Sequence, residues 1–221
     1  IDNITGMLAP APFPDSPQEV AAQLRQQLAA AAEGEAGKLS RDAALGMFRR
    51  HLARIQSHVR ETFERGDMPG LNAARLLARL TDGLIGELFD HAVATVGGTG
   101  SGGKLWGLGR SGRMTIAATG GYGRGVLAPF SDIDLLFLTD GRPTAQVQRV
   151  VEFMLYFLWD LGLKVGHATR SKADCLTEAR GDHTVRTSLL DARRITGDAA
   201  LFADFAAAFR AACTESGAAG Y

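Results

Sequence analysis

The fold of this chain is decided by residues 114–138, which read MTIAATGGYGRGVLAPFSDIDLLFL. An apolar, β-favouring run leads into Gly120 and Gly121, and a second apolar run follows Asp134. Asp132 and Asp134 are two residues apart, so on a strand their carboxylates point to the same face of the sheet. Two such carboxylates repel each other unless a cation lies between them, and a glycine turn can offer backbone N–H groups to a phosphate. The stretch therefore predicts a strand–turn–strand unit that holds a metal-bound nucleoside triphosphate.

Composition argues against several classes of protein. Hydrophobic residues make up 46% of the 221, which is enough for a packed core. Lys plus Arg and Asp plus Glu number 24 each, so we expect no general nucleic-acid binding. The longest strongly apolar run, Phe153 to Trp159, is far shorter than the roughly 20 residues that span a bilayer, and residues 1–14 lack a signal-peptide pattern. We therefore expect no membrane partner. Cys175 and Cys213 lie far apart and form no metal-binding spacing, so we predict a reduced, cytoplasmic setting.

The N-terminal part reads as a helical extension to a larger domain. Helix starts are predicted at Ser16-Pro17 and at Ser40, because serine is a favoured N-cap and proline suits the first turn. A third helix is predicted from about Asn72 to Val96. The predicted divisions are an N-terminal helical extension (1–70) and a larger domain (71–221) that carries the glycine–aspartate motif and contains a Gly/Ser-rich loop (97–112).

The remainder of the chain alternates between helix and strand patterns. The predicted elements are a buried helix (144–161), a strand (163–169), a helical stretch broken near 181–182 (172–190), a short ambiguous segment (192–196) and a final helix that ends near Cys213. Such alternation indicates a small domain with a mixed sheet.

The candidate site needs ligands for a metal and a cradle for phosphates. Mg²⁺ prefers oxygen ligands and usually binds through one or two carboxylates together with phosphate oxygens. Glycines allow the backbone to approach the phosphates closely, a serine hydroxyl can join the cradle or cap the turn, and an arginine can pair with phosphate oxygens or with the acidic pair. The predicted site residues are Asp132 and Asp134 (catalytic and metal-binding), with Gly120, Gly121, Arg124 and Ser131 (nucleotide-binding).

The motif is informative only as a combination. An isolated Asp-x-Asp is common at solvated strand ends, and an isolated glycine cluster is usually a turn. A dinucleotide-binding interpretation fails, because Pro129 and the nearby aspartates replace the helix and the distant acid of that fold. An apolar strand, two glycines, ten intervening residues and Asp-Ile-Asp within a second strand form a restrictive pattern.

The full pattern consists of the motif and several segments after it. These are Gly120–Gly125, Pro129 and Ser131–Leu136, followed by Leu158–Asp160, Val165–His167, Arg170, Asp191–Arg193 and Gly197-Asp198. This pattern resembles the nucleotidyltransferase superfamily that includes DNA polymerase β. More narrowly, it is similar to the N-terminal transferase domain of bifunctional uridylyltransferase/uridylyl-removing enzymes, over roughly residues 71–211. The Gly/Ser-rich stretch before Met114 looks like an insertion relative to that family. The implied fold is α+β: a polymerase β-like domain with a small mixed sheet flanked by helices, after an N-terminal helical extension.

The resemblance implies a reaction and its participants. It implies UTP as donor, Mg²⁺ as cofactor and a tyrosine hydroxyl of the PII nitrogen-signalling protein as acceptor, with pyrophosphate released. Asp132 and Asp134 match the metal-binding aspartates of the family. We also expect the chain to be part of a longer enzyme, with uridylyl removal and glutamine sensing in downstream domains.

One departure from the superfamily pattern concerns a third carboxylate, which many members carry on the strand after the buried helix. Here that strand reads Lys164-Val165-Gly166-His167, with no acid. His167 could position phosphate or acceptor, or could be a structural histidine. Asp191 could supply the carboxylate, or could be structural, as a cap or as a partner of Arg193 or Arg194. Further candidate triphosphate contacts are Lys164, Arg170 and Lys172.

Two other functions fit the same motif. One is a related transferase that uses ATP on another protein, as glutamine synthetase adenylyltransferases do. The other is a nucleotide-binding module without catalysis, which the missing third carboxylate favours.

Overall fold

The computed structural model describes residue 14 and residues 16–34, 39–96 and 113–218. Residues 1–13, residue 15 and the predicted Gly/Ser-rich loop (97–112) lie outside the described residues. Eight helices and four strands follow one another along the described chain: α1 (Pro17–Gly34), α2 (Arg41–Glu64), α3 (Gly70–Val96), β1 (Met114–Ala118), α4 (Gly120–Gly123), β2 (Ile133–Thr139), α5 (Ala145–Asp160), β3 (Val165–Ser171), α6 (Lys172–Gly181), α7 (His183–Leu190), β4 (Arg193–Gly197) and α8 (Ala199–Ala218).

The four strands form one mixed sheet in the order β3-β2-β1-β4. β1 is antiparallel to β2 and to β4, whereas β2 and β3 are parallel. Parallel neighbours need a crossover connection, and α5 provides it between β2 and β3. The predicted fold class, a small mixed sheet flanked by helices after N-terminal helices, is confirmed.

The two faces of the sheet are covered by different helices. Ile133, Leu135 and Phe137 of β2 pack in a large apolar core with residues of α1, α2, α3 and α5; we call this side the bundle face. Leu136 and Leu138 pack with residues of α6, α7 and α8 in a second, smaller core; we call this side the site face. Because β2 is covered on both faces, its apolar run is continuous rather than alternating.

The predicted helix starts are confirmed by their caps. The Ser40 hydroxyl accepts a hydrogen bond from the Ala43 amide at 3.2 Å, and the Ser16 hydroxyl accepts one from the Glu19 amide at 3.2 Å. The break predicted near 181–182 is also present, since Asp182 ends α6 and caps α7. Local capping chemistry was therefore a sufficient signal for these boundaries.

Several elements differ from their predicted form. The segment 192–196, ambiguous from its sequence, forms the edge strand β4, because pairing with β1 supplies the hydrogen bonds that a short segment lacks alone. α8 continues beyond Cys213 to Ala218. In the sequence, Phe63 continues the apolar stripe of Phe48, Leu52, Ile55 and Val59 and is predicted to be buried, yet it is 50% exposed in the last turn of α2. The division at residue 70 stays a prediction, as α3 begins there and packs on both α1 and α5. Over the described ranges, none of the helices combines the length and apolarity needed to cross a membrane.

Candidate active site

The glycine segment forms a single helical turn rather than an open loop. The turn begins where β1 ends, and the Gly123 amide donates to the Thr119 carbonyl at 2.8 Å. The Thr119 amide donates to the Asp134 carbonyl at 3.0 Å, which fixes the start of the turn beside β2. Gly120 has φ of +56°, a left-handed conformation that glycine adopts without steric penalty.

The Asp134 carboxylate lies in a gap between two glycines. A Cβ added to Gly120 would meet Asp134 Oδ2 at 3.0 Å, and one added to Gly166 would meet Asp134 Oδ1 at 2.4 Å. Gly166 is the partner of Asp134 in the parallel β2–β3 register, so a side chain added to Gly166 would lie on the same face as the Asp134 carboxylate. The alternation along β2 places that face with Leu136 and Leu138, which is the site face. The missing side chains of Gly120 and Gly166 therefore create the space that this carboxylate occupies.

Asp132 and Ser131 lie just before β2 and are both exposed. Asp132 is two residues from Asp134, and the Ile133 amide between them donates to the Lys164 carbonyl at 2.9 Å. Ser131 closes a turn, since its amide donates to the Ala128 carbonyl at 3.1 Å. The chain before β2 is thus held by backbone bonds, while the Asp132 carboxylate and the Ser131 hydroxyl stay open to solvent.

Arg124 pairs with an acid other than those predicted for it. Its guanidinium lies 2.8 Å from Asp191 Oδ2, and a Cβ on Gly121 would lie 3.7 Å from the same guanidinium. Arg124 is 61% exposed and Asp191 31% exposed, so this is a surface ion pair of small net stability. The sequence-based pairing of Arg124 with the aspartate pair, and of Asp191 with Arg193 or Arg194, is not what the structure shows.

His167 lies on the opposite side of the sheet from Asp134. On β3 it alternates with Gly166, and its ring packs on Trp159 of α5 with centroids 6.1 Å apart. The structure does not bring His167 to the carboxylates, so the structural interpretation fits its position. Arg170, another candidate phosphate contact, forms an ion pair with Glu178 of α6.

A polar cluster behind the glycine turn, with Tyr122 buried and Asp82 and Arg193 partly buried, was missed by sequence reasoning. The Tyr122 hydroxyl donates to Asp82 Oδ1 at 2.6 Å, and Arg193 donates to both Asp82 oxygens, at 2.6 and 3.2 Å. Arg193 also donates to the Tyr122 carbonyl at 3.3 Å, with its guanidinium 5.5 Å from the centre of the Tyr122 ring. The available signal was Asp82 itself, an acid within the apolar run of α3.

The Tyr122 hydroxyl is protonated at neutral pH. Burial, followed by the Asp82 charge and the hydrogen bond to it, raises the Tyr122 pKa well above its ordinary value. The hydroxyl therefore remains a hydrogen-bond donor to Asp82 at neutral pH.

The donor set decides whether the site suits Mg²⁺. Across the described ranges, no group of three or more His, Cys, Asp or Glu side chains is arranged to hold a metal ion. Asp132 and Asp134 nevertheless present hard oxygen ligands, and the Asp134 carboxylate lies between Gly120 and Gly166. Mg²⁺ commonly keeps water and substrate phosphates as its other ligands, so two carboxylates fit an ion that arrives with a nucleotide.

Comparison with known proteins gives the class of this domain. A sequence model of the family described as "Nucleotidyltransferase domain" matches residues 108–195, which include the glycine turn, β2, α5 and β3. The chain is also 44% identical over 175 residues to a protein of Gluconobacter oxydans (strain 621H), and 44% identical over 190 residues to one of Phenylobacterium zucineum (strain HLK1). The chain therefore carries a nucleotidyltransferase domain and is an enzyme of that class.

The relatives share a more specific name. Both are called "Bifunctional uridylyltransferase/uridylyl-removing enzyme", as is a protein of Rhodospirillum rubrum that is 57% identical over 90 residues (41% of this chain, 10% of that protein). The first two matches cover 79% and 85% of this chain but 17% and 20% of the relatives, so the chain spans about one fifth of their length. The resemblance inferred from the motif is confirmed.

Proposed function

We propose that this chain transfers UMP from UTP to a tyrosine of the PII nitrogen-signalling protein, with Mg²⁺ as cofactor and pyrophosphate as the second product. The observation that carries the proposal is the Asp134 carboxylate held between Gly120 and Gly166, next to the exposed Asp132. The name of the relatives, which includes uridylyl transfer, supports a uridine nucleotide as donor.

Asp132 and Asp134 are assigned to the metal. When bound, Mg²⁺ would neutralise triphosphate charge and stabilise the attacking and leaving oxygens. The Asp134 backbone is fixed by β2 pairing and by the bond from the Thr119 amide, so its carboxylate is held on a rigid element. Asp132 is more exposed and can adjust to the ion.

The phosphates are assigned to the glycine turn and its neighbours. Gly120 and Gly121 carry no side chain that would keep a phosphate from the main chain. Arg124 already lies over Gly121, and its weak pairing with Asp191 leaves it able to turn to a phosphate oxygen. The exposed Ser131 hydroxyl completes this set.

The transfer itself is an in-line displacement at the α-phosphorus. The tyrosine oxygen of the acceptor forms a new bond to phosphorus, the bond to the bridging oxygen of the β-phosphate breaks, and pyrophosphate leaves with that electron pair. The tyrosine hydroxyl releases its proton to solvent water as the new bond forms. The residues of this chain act by binding and orientation, which is where most catalysis of phosphoryl transfer arises.

We propose a cytoplasmic setting for this activity. Both cysteines are free thiols, and Cys175 lies on the buried side of α6. Free thiols are typical of a reducing compartment.

The experiment combines transfer with binding. The chain is incubated with labelled UTP, Mg²⁺ and PII protein, and label on PII is followed. We expect Asp132→Asn and Asp134→Asn to lower transfer and Mg²⁺-dependent UTP binding by at least about 100-fold. Asp140→Asn is the matched control, since Asp140 is an exposed carboxylate just beyond the other end of β2. Full activity of either site variant would remove that aspartate from the metal site.

Donor choice separates this proposal from an adenylyltransferase. Transfer from UTP and ATP is compared at equal concentrations under otherwise identical conditions. A preference for ATP would overturn the uridylyl assignment while leaving the nucleotidyltransferase class intact. Binding of UTP with no transfer to any acceptor would instead indicate a nucleotide-binding module.

A further inference from the structure

The cluster of Asp82, Tyr122 and Arg193, here called the turn support, joins three separate parts of the chain. Asp82 belongs to α3, Tyr122 to the glycine turn and Arg193 to β4. Tyr122 is held at its hydroxyl by Asp82 and at its carbonyl by Arg193, whose guanidinium also lies against the ring. The turn is therefore fixed from behind by side chains that do not reach the site face.

The stability of the folded chain does not by itself explain why the charges of Asp82 and Arg193 are partly buried. The side chain of Asp82 is 11% exposed and that of Arg193 is 33% exposed, so both charges have lost much of their hydration. The attraction within a buried ion pair roughly offsets that loss, and an apolar replacement is often as stable. Such a pair does fix the orientation of the groups that it joins. The two oxygens of the Asp82 carboxylate accept hydrogen bonds from two donors of Arg193 and one of Tyr122.

The orientation of Tyr122 matters because the other side of the glycine turn carries the groups assigned to the phosphates. Gly120 lies against the Asp134 carboxylate, and the Arg124 guanidinium lies over Gly121. Tyr122 follows both glycines directly, so a movement of its backbone shifts the groups assigned to the phosphates. Gly123 is packed on the other flank, where an added Cβ would lie 2.3 Å from the Asp191 carbonyl oxygen.

We propose that Asp82 and Arg193 are positioning residues, which hold the glycine turn in the conformation that binds the triphosphate. They act through Tyr122 and do not touch the nucleotide. This inference rests on the proposed function, because the turn must bind a nucleotide triphosphate for its conformation to matter.

The test compares two ion pairs of similar geometry. Arg113 and Asp198 form a two-point pair, at 2.7 and 3.2 Å, beyond the start of β1 and therefore away from the glycine turn. The arginines of the two pairs are similarly exposed, at 31% for Arg113 and 33% for Arg193, while Asp198 at 24% is more exposed than Asp82 at 11%. Asp198→Asn is therefore the matched control for Asp82→Asn, and Tyr122→Phe is a milder variant that removes only one hydroxyl.

Three quantities are measured for each variant: the midpoint of thermal unfolding, the dissociation constant for UTP with Mg²⁺ well below that midpoint, and amide exchange in the turn. We expect Asp82→Asn to weaken UTP binding by about tenfold or more, and Tyr122→Phe by a smaller factor, with faster exchange of the Gly121 and Gly123 amides. Asp198→Asn should lower the unfolding midpoint yet leave the UTP dissociation constant within about twofold of wild type.

The outcomes decide between a positioning and a merely structural role. If Asp82→Asn does not fold, Tyr122→Phe carries the test. Unchanged UTP affinity in a folded Asp82→Asn variant overturns the inference, as does an equal loss of affinity in Asp198→Asn. If the wild-type chain itself does not bind UTP, the proposed function is wrong and this inference falls with it.

Discussion

Replacing Gly166 by alanine should disable the site while leaving the fold intact. The new Cβ would lie 2.4 Å from Asp134 Oδ1, whereas ordinary van der Waals contact begins at 3.4 Å. The carboxylate must therefore move by about 1 Å, because the Cβ is fixed to the backbone of a paired strand. Gly166 does not have a positive φ, so alanine fits the strand conformation itself.

The size of the effect follows from that displacement. A misplacement of about 1 Å in a catalytic group can lower a rate by about 100-fold, which corresponds to about 2.7 kcal/mol of lost transition-state stabilisation. The free energy of unfolding should change by less than about 1 kcal/mol, since the carboxylate can rotate towards solvent. Transfer of label from UTP and urea unfolding measure the two quantities on the same preparation.

Gly141→Ala is the matched control for this variant. Gly141 follows β2, has no positive φ, and an added Cβ there would meet nothing within 4 Å. It should retain wild-type transfer. A folded Gly166→Ala variant with the wild-type rate would refute the reasoning, because it would show that the position of the Asp134 carboxylate does not limit the reaction.

Three further predictions concern stability and reactivity. Gly83→Ala would place a Cβ 2.3 Å from the Pro17 carbonyl oxygen, so overpacking between α1 and α3 should lower the unfolding free energy by about 1–3 kcal/mol in urea titrations. Burial raises the Glu87 pKa from 4.5 to about 7; the folded state therefore holds this proton more tightly, and about 3 kcal/mol of stability present below pH 4.5 is lost as the pH rises through 7. The difference in unfolding free energy between wild type and Glu87→Gln should change over that range, and parallel pH curves would contradict the assignment. Burial raises the Cys175 pKa to about 12, so the native chain at pH 8 should react with a thiol reagent at Cys213 alone, and Cys213→Ala should abolish the fast phase.

Signals that are local in sequence gave the correct elements. Ser40 caps α2 because a serine oxygen can reach the amide three residues on, and no distant contact is needed for that bond. The two-residue spacing of Asp132 and Asp134 predicts a shared face from strand geometry, and this stays a prediction because Asp132 lies just before β2. The strand pattern around the glycines likewise predicted β1 and β2.

Features that depend on tertiary contacts were not predicted from the sequence. The side of the sheet on which His167 lies is set by the register of β3 against β2, which the composition of β3 does not specify. The partner of Arg124 is Asp191, 67 residues further on, and several acids were equally available in the sequence. Asp82 could not be connected to Tyr122 before the packing of α3 on the sheet was known.

The crossover from β2 through α5 to β3 gives the length of a remote helix a role in the chemistry. Gly166 stands beside Asp134 only because α5 returns the chain in one particular register. A single-residue insertion or deletion in α5 that slipped β3 by one position would bring an isopropyl group or an imidazole beside the carboxylate, from Val165 or His167. Changes in the number of residues in α5, far from any nucleotide, should thus be as damaging to transfer as a change at the site itself.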